Sequence, residues 1–275
     1  MNRTPTDVGA QFIAPETLHA NMDKKIIRNN FSRNADSYDD HAAVQKRCAE
    51  KLIELIRGKQ FRRILEVGCG TGIYTKLLRD EYADAQITAL DISGDMVEIA
   101  QKKFSQGDVA FMVADGEQIR RDEKLDLITS NASFQWFERF GTALELFART
   151  LADDGVLCFS MYGPETFKEF EEVLGRHFGG RPWLSSSRFV SRETTEVILK
   201  KHFKNFDLVE EHFTVDFFSL WDFLKDIKHS GARGEGLGGG RFLGKYVIKE
   251  LEKTYIEKFG GITATHHVYF CKAQI

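Results

Sequence analysis

The sequence predicts a doubly wound α/β fold on a mostly parallel sheet of seven strands, and three observations carry that expectation. From Ile64 onward, short apolar runs alternate with amphipathic stretches. The first run ends in a glycine-rich turn, Glu66-Val67-Gly68-Cys69-Gly70-Thr71-Gly72, and the next three runs end in polar residues. Alternation of this kind is the pattern of βαβ crossovers, which place ligands at the carboxyl ends of the strands.

Taken in order, residues 1–23 carry neither a basic start nor an apolar run, so a loose extension is expected rather than a signal peptide or anchor. Residues 24–57 read as lid helices, with Val44, Cys48, Leu52 and Ile56 at helical spacing. A polar, turn-prone segment at 31–39 interrupts them. Buried parallel strands are expected at 64–67, 87–90, 109–113, 125–129 and 156–159, with helices at 95–104 and 141–151 between them.

Past Gly163-Pro164 the rhythm changes. Helices are expected at 165–178 and 185–201 before an aromatic strand at 206–218; residues 221–259 then read as helical, broken by glycines, before a last strand at 266–272. Two helical cap insertions, about 163–203 and 220–262, are therefore expected over one domain spanning 24–275.

Composition narrows the classes. A net charge of −3, with 29% charged and 42% hydrophobic residues, gives no global preference for nucleic acid or a membrane surface. No apolar run approaches the roughly 18 residues of a membrane span. Cys48, Cys69, Cys158 and Cys271 lie far apart, with no pair or Cys/His cluster at metal-ligand spacing. Reduced thiols, a cytoplasmic location and no metal are the expectations.

The glycine turn carries the chemistry. Its glycines permit a tight bend and a close approach of backbone to ligand. A dinucleotide turn would space its third glycine one residue later and would face phosphate, beside which Glu66 is poorly placed. Glu66 suits a cationic or amino-bearing ligand. Asp91 closes the second strand, where an acid accepts from ribose hydroxyls. Asp115 and Gly116 follow the third strand and offer a partner to an adenine amino group; Asn131 ends the fourth. Together these fit a nucleoside with an amino-acid tail, as in S-adenosyl-L-methionine. Taken alone, Asp115 or Asn131 reads equally well as a helix cap. The expected cofactor set is Tyr38 as a lid, Glu66, Gly68, Cys69, Gly70, Gly72, Asp91, Ile92, Met96, Asp115, Gly116 and Asn131.

Gln135 and Trp136 follow the fourth strand, Tyr162 follows the fifth and His267 lies in the last. They are candidates for positioning an acceptor, although a buried Trp or His is as often structural. Lys225, Lys228, Arg233, Arg241, Lys245 and Lys249 make a basic stretch suited to an acidic partner protein, or simply a solvated face. Arg233 is the preferred contact for a carboxylate or phosphate.

The segments F-S-R-N-A-D-S-Y-D at 31–39, L-E-V-G-C-G-T-G at 65–72, S-N-A-S-F-Q-W at 130–136, S-M-Y-G-P-E-T at 160–166, L-K-D-I-K-H-S-G-A-R-G at 224–234 and T-H-H-V-Y-F at 265–270 resemble the malonyl-acyl-carrier-protein O-methyltransferases of biotin synthesis. The resemblance covers nearly all of the chain after about residue 24. It departs at Ala132-Ser133-Phe134 and at His266, which stands where the pattern is usually aromatic.

What the resemblance implies is a Rossmann-like class I methyltransferase. It would pass a methyl group from S-adenosylmethionine to the free carboxylate of a malonyl group on acyl carrier protein, or on coenzyme A, and leave S-adenosylhomocysteine. The alternatives are a small-molecule methyltransferase acting on a quinone precursor or a trans-aconitate-like diacid, and a non-catalytic S-adenosylmethionine-binding protein. An ionised carboxylate attacking a sulfonium methyl requires no general base, so the lack of a catalytic triad is compatible with an enzyme.

Overall fold

Asp23 opens the first helix, α1 (Lys24–Asn34), by accepting hydrogen bonds from the backbone of Lys25 and Ile26. The structure is a computed structural model that describes residues 23–179, 184–230 and 244–275. A 3-10 turn, Ala35–His41, leads to α2 (Ala43–Ile56), which buries Val44, Cys48, Leu52 and Ile56 at the spacing its sequence shows. The turn-prone segment at 31–39 thus divides between the last turn of α1 and the 3-10 turn.

There follow β1 (Arg63–Val67), α3 (Ile73–Glu81), β2 (Gln86–Asp91), α4 (Gly94–Gln101), β3 (Ala110–Val113), β4 (Leu125–Asn131), α5 (Phe140–Thr150) and β5 (Leu151–Tyr162). Ser93 begins α4 by accepting from the Met96 N–H. The rest is α6 (Lys168–Phe178), α7 (Arg192–His202), β6 (Asn205–Phe217), α8 (Leu220–His229), α9 (Lys245–Phe259) and β7 (Ile262–Gln274).

The seven strands form one sheet in the order β3-β2-β1-β4-β5-β7-β6. Only β7 runs against its neighbours, pairing antiparallel with both β5 and β6. The strand order reverses between β1 and β4, which pair directly through Ile64–Leu127 and Leu65–Ile128. Such a switch point leaves a crevice at the carboxyl ends of the strands.

Apolar clusters cover both faces. One joins Cys48, Leu52, Tyr74 and Leu78 of α2 and α3 to β1 and β2, and the other joins Phe140, Leu144 and Phe147 of α5 to β4 and β5. Ile198 and Leu199 of α7 belong to this second cluster. α7 is therefore a sheet-covering helix, and the expected cap over 163–203 narrows to α6. A third cluster joins α6 (Phe170, Leu174), α8 (Phe223) and α9 (Leu251, Tyr255).

Two helix boundaries differ from expectation for local reasons. The helix expected from residue 165 begins at Lys168, because Phe167 has a left-handed φ of 63° and gives its N–H to the Thr265 carbonyl in β7. The helix expected over 185–201 is interrupted: a 3-10 turn ends at Arg188, the chain extends at Phe189, and Ser191 caps a new helix by accepting from the Thr194 N–H. No described helix is long and apolar enough to cross a membrane.

Candidate active site

The ends of β1, β2, β3 and β4 converge on a cleft that Val67, Asp91, Ala114 and Asn131 border, where ligands enter sheets of this kind. Its floor is the turn after β1. Gly68 and Gly70 have φ of 78° and 53°, and a Cβ on Gly68 would lie 2.2 Å from Ser133 Oγ, so the close approach of the two loops requires glycine there. Gly68 and Cys69 give their N–H groups to the Leu90 carbonyl, while Gly70 N–H reaches Asp91 Oδ2 at 2.9 Å. Asp91 Oδ1 also accepts from Ser93 N–H. Burial raises the Asp91 pKa, and its backbone hydrogen bonds oppose the rise.

Nine expected cofactor residues line this cleft: Tyr38, Gly68, Gly70, Asp91, Ile92, Met96, Asp115, Gly116 and Asn131. Three stand behind it. Gly72 begins α3 and packs on Ala100 and Phe104, and Cys69 is buried in the core. Glu66 is fully buried beneath the turn, and neither carboxyl oxygen makes a well-formed hydrogen bond among the described residues. Burial pushes its pKa up to about 8, opposed by the Thr75 hydroxyl and assisted by the Asp91 charge.

Asp115 is less free than its sequence position implies. Its Oδ2 holds Lys24 Nζ at 2.6 Å and its Oδ1 accepts from Glu117 N–H. Asn131 is likewise committed, donating to the Gln45 carbonyl and accepting from Ser160 Oγ. Tyr38 lies over Gly70 and packs edge-on against Phe31, which in turn packs on Trp136. Burial and the nearby Asp91 and Asp39 charges raise its phenol pKa.

Trp136 also borders a second cavity, about 410 Å³, walled by Tyr162, Thr166, Phe167, Leu184, Phe189 and Ile227 among others. Of the positioning candidates, Trp136 and Tyr162 border cavities. Gln135 does not: its amide donates to the Ala132 carbonyl and accepts from Tyr162 N–H, bracing Ala132 in a left-handed conformation with φ 51°.

His267 also lies off both cavities. Its Nδ1 accepts from Glu165 N–H, and its Nε2 lies 2.6 Å from Glu210 Oε1. His212 stacks on it across the β6–β7 pairing. Glu210, His212 and His267 are thus close enough to suggest a metal site that no sequence spacing reveals. The tautomer opposes it, since an Nδ1 that accepts leaves Nε2 with a proton for Glu210 and no lone pair for a cation.

Lys225 and Lys228 are exposed on α8, as are Lys245 and Lys249 on α9. Arg233 and Arg241 lie outside the described residues. Sequence reasoning missed Lys24, Phe31, Ala132, Ser133 and Phe137 as cleft residues. They reach it through the fold of the lid and the turn after β4, and only the small residues facing Gly68 left a trace.

The family described as "Methyltransferase domain" matches residues 65–159. The malonyl-[acyl-carrier protein] O-methyltransferase of Acetivibrio thermocellus is 35% identical over 269 residues, which cover 92% of this chain and 94% of the relative. The chain belongs to this family. The Geobacter sulfurreducens member is 34% identical and is matched over 98% of its length. Among solved structures, Haemonchus contortus phosphoethanolamine N-methyltransferase 2, in complex with S-adenosyl-L-methionine, aligns with a TM-score of 0.57 at 15% identity, over 90% of this chain and 60% of that one. That likeness shows the fold, and family membership makes the chain a methyltransferase.

Proposed function

We propose that the chain binds S-adenosylmethionine in the β1–β4 cleft and methylates the free carboxylate of a malonyl group borne by acyl carrier protein, the ester that starts pimeloyl synthesis for biotin. The single observation that carries the site assignment is the pair of cavities that share Trp136, one with Asp91, Asp115 and Asn131 at its strand ends and one without a charged lining residue among those described. The acceptor follows from the relatives, which are named for that substrate.

The residues present fit the cofactor. The buried Glu66 carboxyl, without a well-formed partner among the described residues, suits its amino group, and Asp91 suits its ribose hydroxyls. Ile92 and Met96 supply apolar contact for its base, and Tyr38 closes over the glycine turn. When bound, the cofactor would supply a methyl group already activated by its sulfonium sulfur, and the acceptor's carboxylate oxygen would be the nucleophile. The protein's part is to orient and dry the acceptor. Holding reacting atoms in line contributes about 7–11 kcal/mol in effective-molarity terms. A carboxylate titrating near 4 is already ionised at neutral pH, so no residue need take a proton. Residues 24–41 act as the lid, and α6, α8 and α9 act as the cap.

The test is transfer of label from methyl-labelled cofactor to malonyl-acyl carrier protein, malonyl-coenzyme A and free malonate, supplied separately. Ester label on the carrier protein is expected. Label on none of the thioesters would overturn the reading.

A further inference from the structure

The second cavity has a feature that a passive apolar wall would not carry. Tyr162, at the end of β5, contributes its ring to that wall, yet its hydroxyl is buried with no hydrogen-bond partner among the described residues. An orphaned buried hydroxyl lowers stability and calls for a reason. Burial holds its pKa well above the ordinary phenol value, so it is an O–H donor across the whole neutral range.

Its surroundings select for what it can bind. Phe167, Phe189, Leu184 and Ile227 are apolar, and none of the described lining residues is charged. Behind Phe167 and Tyr162, at centroid distances of 5.0 and 5.8 Å, stands His266, whose pKa burial lowers to about 4, so it adds no cation at neutral pH. Phe167 enters the wall from a left-handed backbone conformation, which its N–H bond to Thr265 sustains. Thr166, Ser185 and Ser186 add hydroxyls to the lining, and that of Thr166 is spent on the His267 carbonyl, so the buried Tyr162 hydroxyl is a neutral donor without a partner in an uncharged wall that shares Trp136 with the first cleft.

We infer that this cavity seats the acyl end of the acceptor and that Tyr162 donates its hydroxyl to one oxygen of the acceptor's free carboxylate, distinguishing a diacid thioester from one ending in methyl. This rests on the reading of the chain as a carboxyl methyltransferase. The chemistry favours such a donor. A guanidinium would engage both oxygens and draw charge from them, whereas one neutral O–H fixes the carboxylate and leaves its second oxygen unbonded.

The experiment is Tyr162→Phe in the full chain, with malonyl-coenzyme A and acetyl-coenzyme A as probes, titrated calorimetrically in the presence of saturating S-adenosylhomocysteine. Wild type is expected to bind the malonyl thioester more tightly than the acetyl one. In the variant that advantage falls by about tenfold or more, the scale of a hydrogen bond to a charged group. Acetyl-coenzyme A and S-adenosylhomocysteine affinities stay unchanged, and the ligand-free melting temperature is equal or higher, because an unsatisfied group has been removed.

An undiminished malonyl advantage, equal weakening of both thioesters, or a lowered melting temperature would each overturn the role of Tyr162. If wild type transfers methyl to malonyl thioesters while the variant keeps full discrimination, only this inference fails. If wild type transfers to none, the functional reading fails first.

Discussion

Glu66 and Asp91 are both acids at strand ends, yet their surroundings give them different work. Asp91 accepts from two backbone N–H groups and faces the cleft, whereas Glu66 lies fully buried without a well-formed partner among the described residues. A pKa raised to about 8 leaves Glu66 largely protonated at pH 7 without ligand. Because the folded value lies above the ordinary 4.5, its contribution to stability is complete below about 4.5 and is lost as pH rises through 8. The ligand-free protein should therefore lose stability over that window. A cationic amino group arriving beside Glu66 favours the anion, so cofactor binding near pH 7 should release close to one proton from this carboxyl. Titration calorimetry in two buffers of different ionisation enthalpy reads the number. Glu66→Gln should abolish that release and flatten the pH dependence of melting; the same release in the variant would place the proton elsewhere.

Among the elements, α8 joins the two halves of the site. Its inner face is fastened to the lid, with His41 Nδ1 2.7 Å from Asp226 Oδ1 and Ser37 Oγ 2.9 Å from His229 Nδ1, and the two imidazoles stacked. Its outer face presents Lys225 and Lys228 to solvent, and neither makes an ion pair among the described residues. Exposed lysines free of acids suit a docking surface for an acidic carrier, governed by long-range attraction and hence by salt. Lys225→Glu combined with Lys228→Glu is predicted to lower kcat/KM for malonyl-acyl carrier protein by roughly tenfold or more at low ionic strength. The deficit should shrink in high salt, while S-adenosylhomocysteine affinity holds. An unchanged kcat/KM at low salt would leave these lysines a solvated face.

Across the whole molecule, what the sequence made legible was what local rules determine. The alternation of strands and helices and the glycine turn are set by side-chain period and backbone freedom, and nine cofactor candidates do reach one cleft. What stayed hidden depends on contacts distant in sequence. Lys24 enters the cleft only because it pairs with Asp115 and Glu117, α7 leaves the cap because Ile198 and Leu199 find α5, and His267 is drawn off the site by Glu165 and Glu210. The same distant contacts make the lid a bridge. Ser32 meets Ser93, Asp39 meets Thr71 and Lys103, and His41 meets Asp226, so residues 24–41 tie the turn after β1, the two ends of α4 and α8 together. A ligand that orders the lid should then stabilise α8, although α8 does not line the cofactor cleft. At about one hundred times its dissociation constant, S-adenosylhomocysteine should contribute about 2.7 kcal/mol and raise the melting temperature by roughly 5–10 °C. Hydrogen exchange should slow in residues 24–41 and also in α8, with α7 unchanged because it packs on the opposite side of this network. Protection confined to the glycine turn and α4 would show that the lid and the cap move independently, and the contacts at Asp226 and His229 would then be incidental to binding.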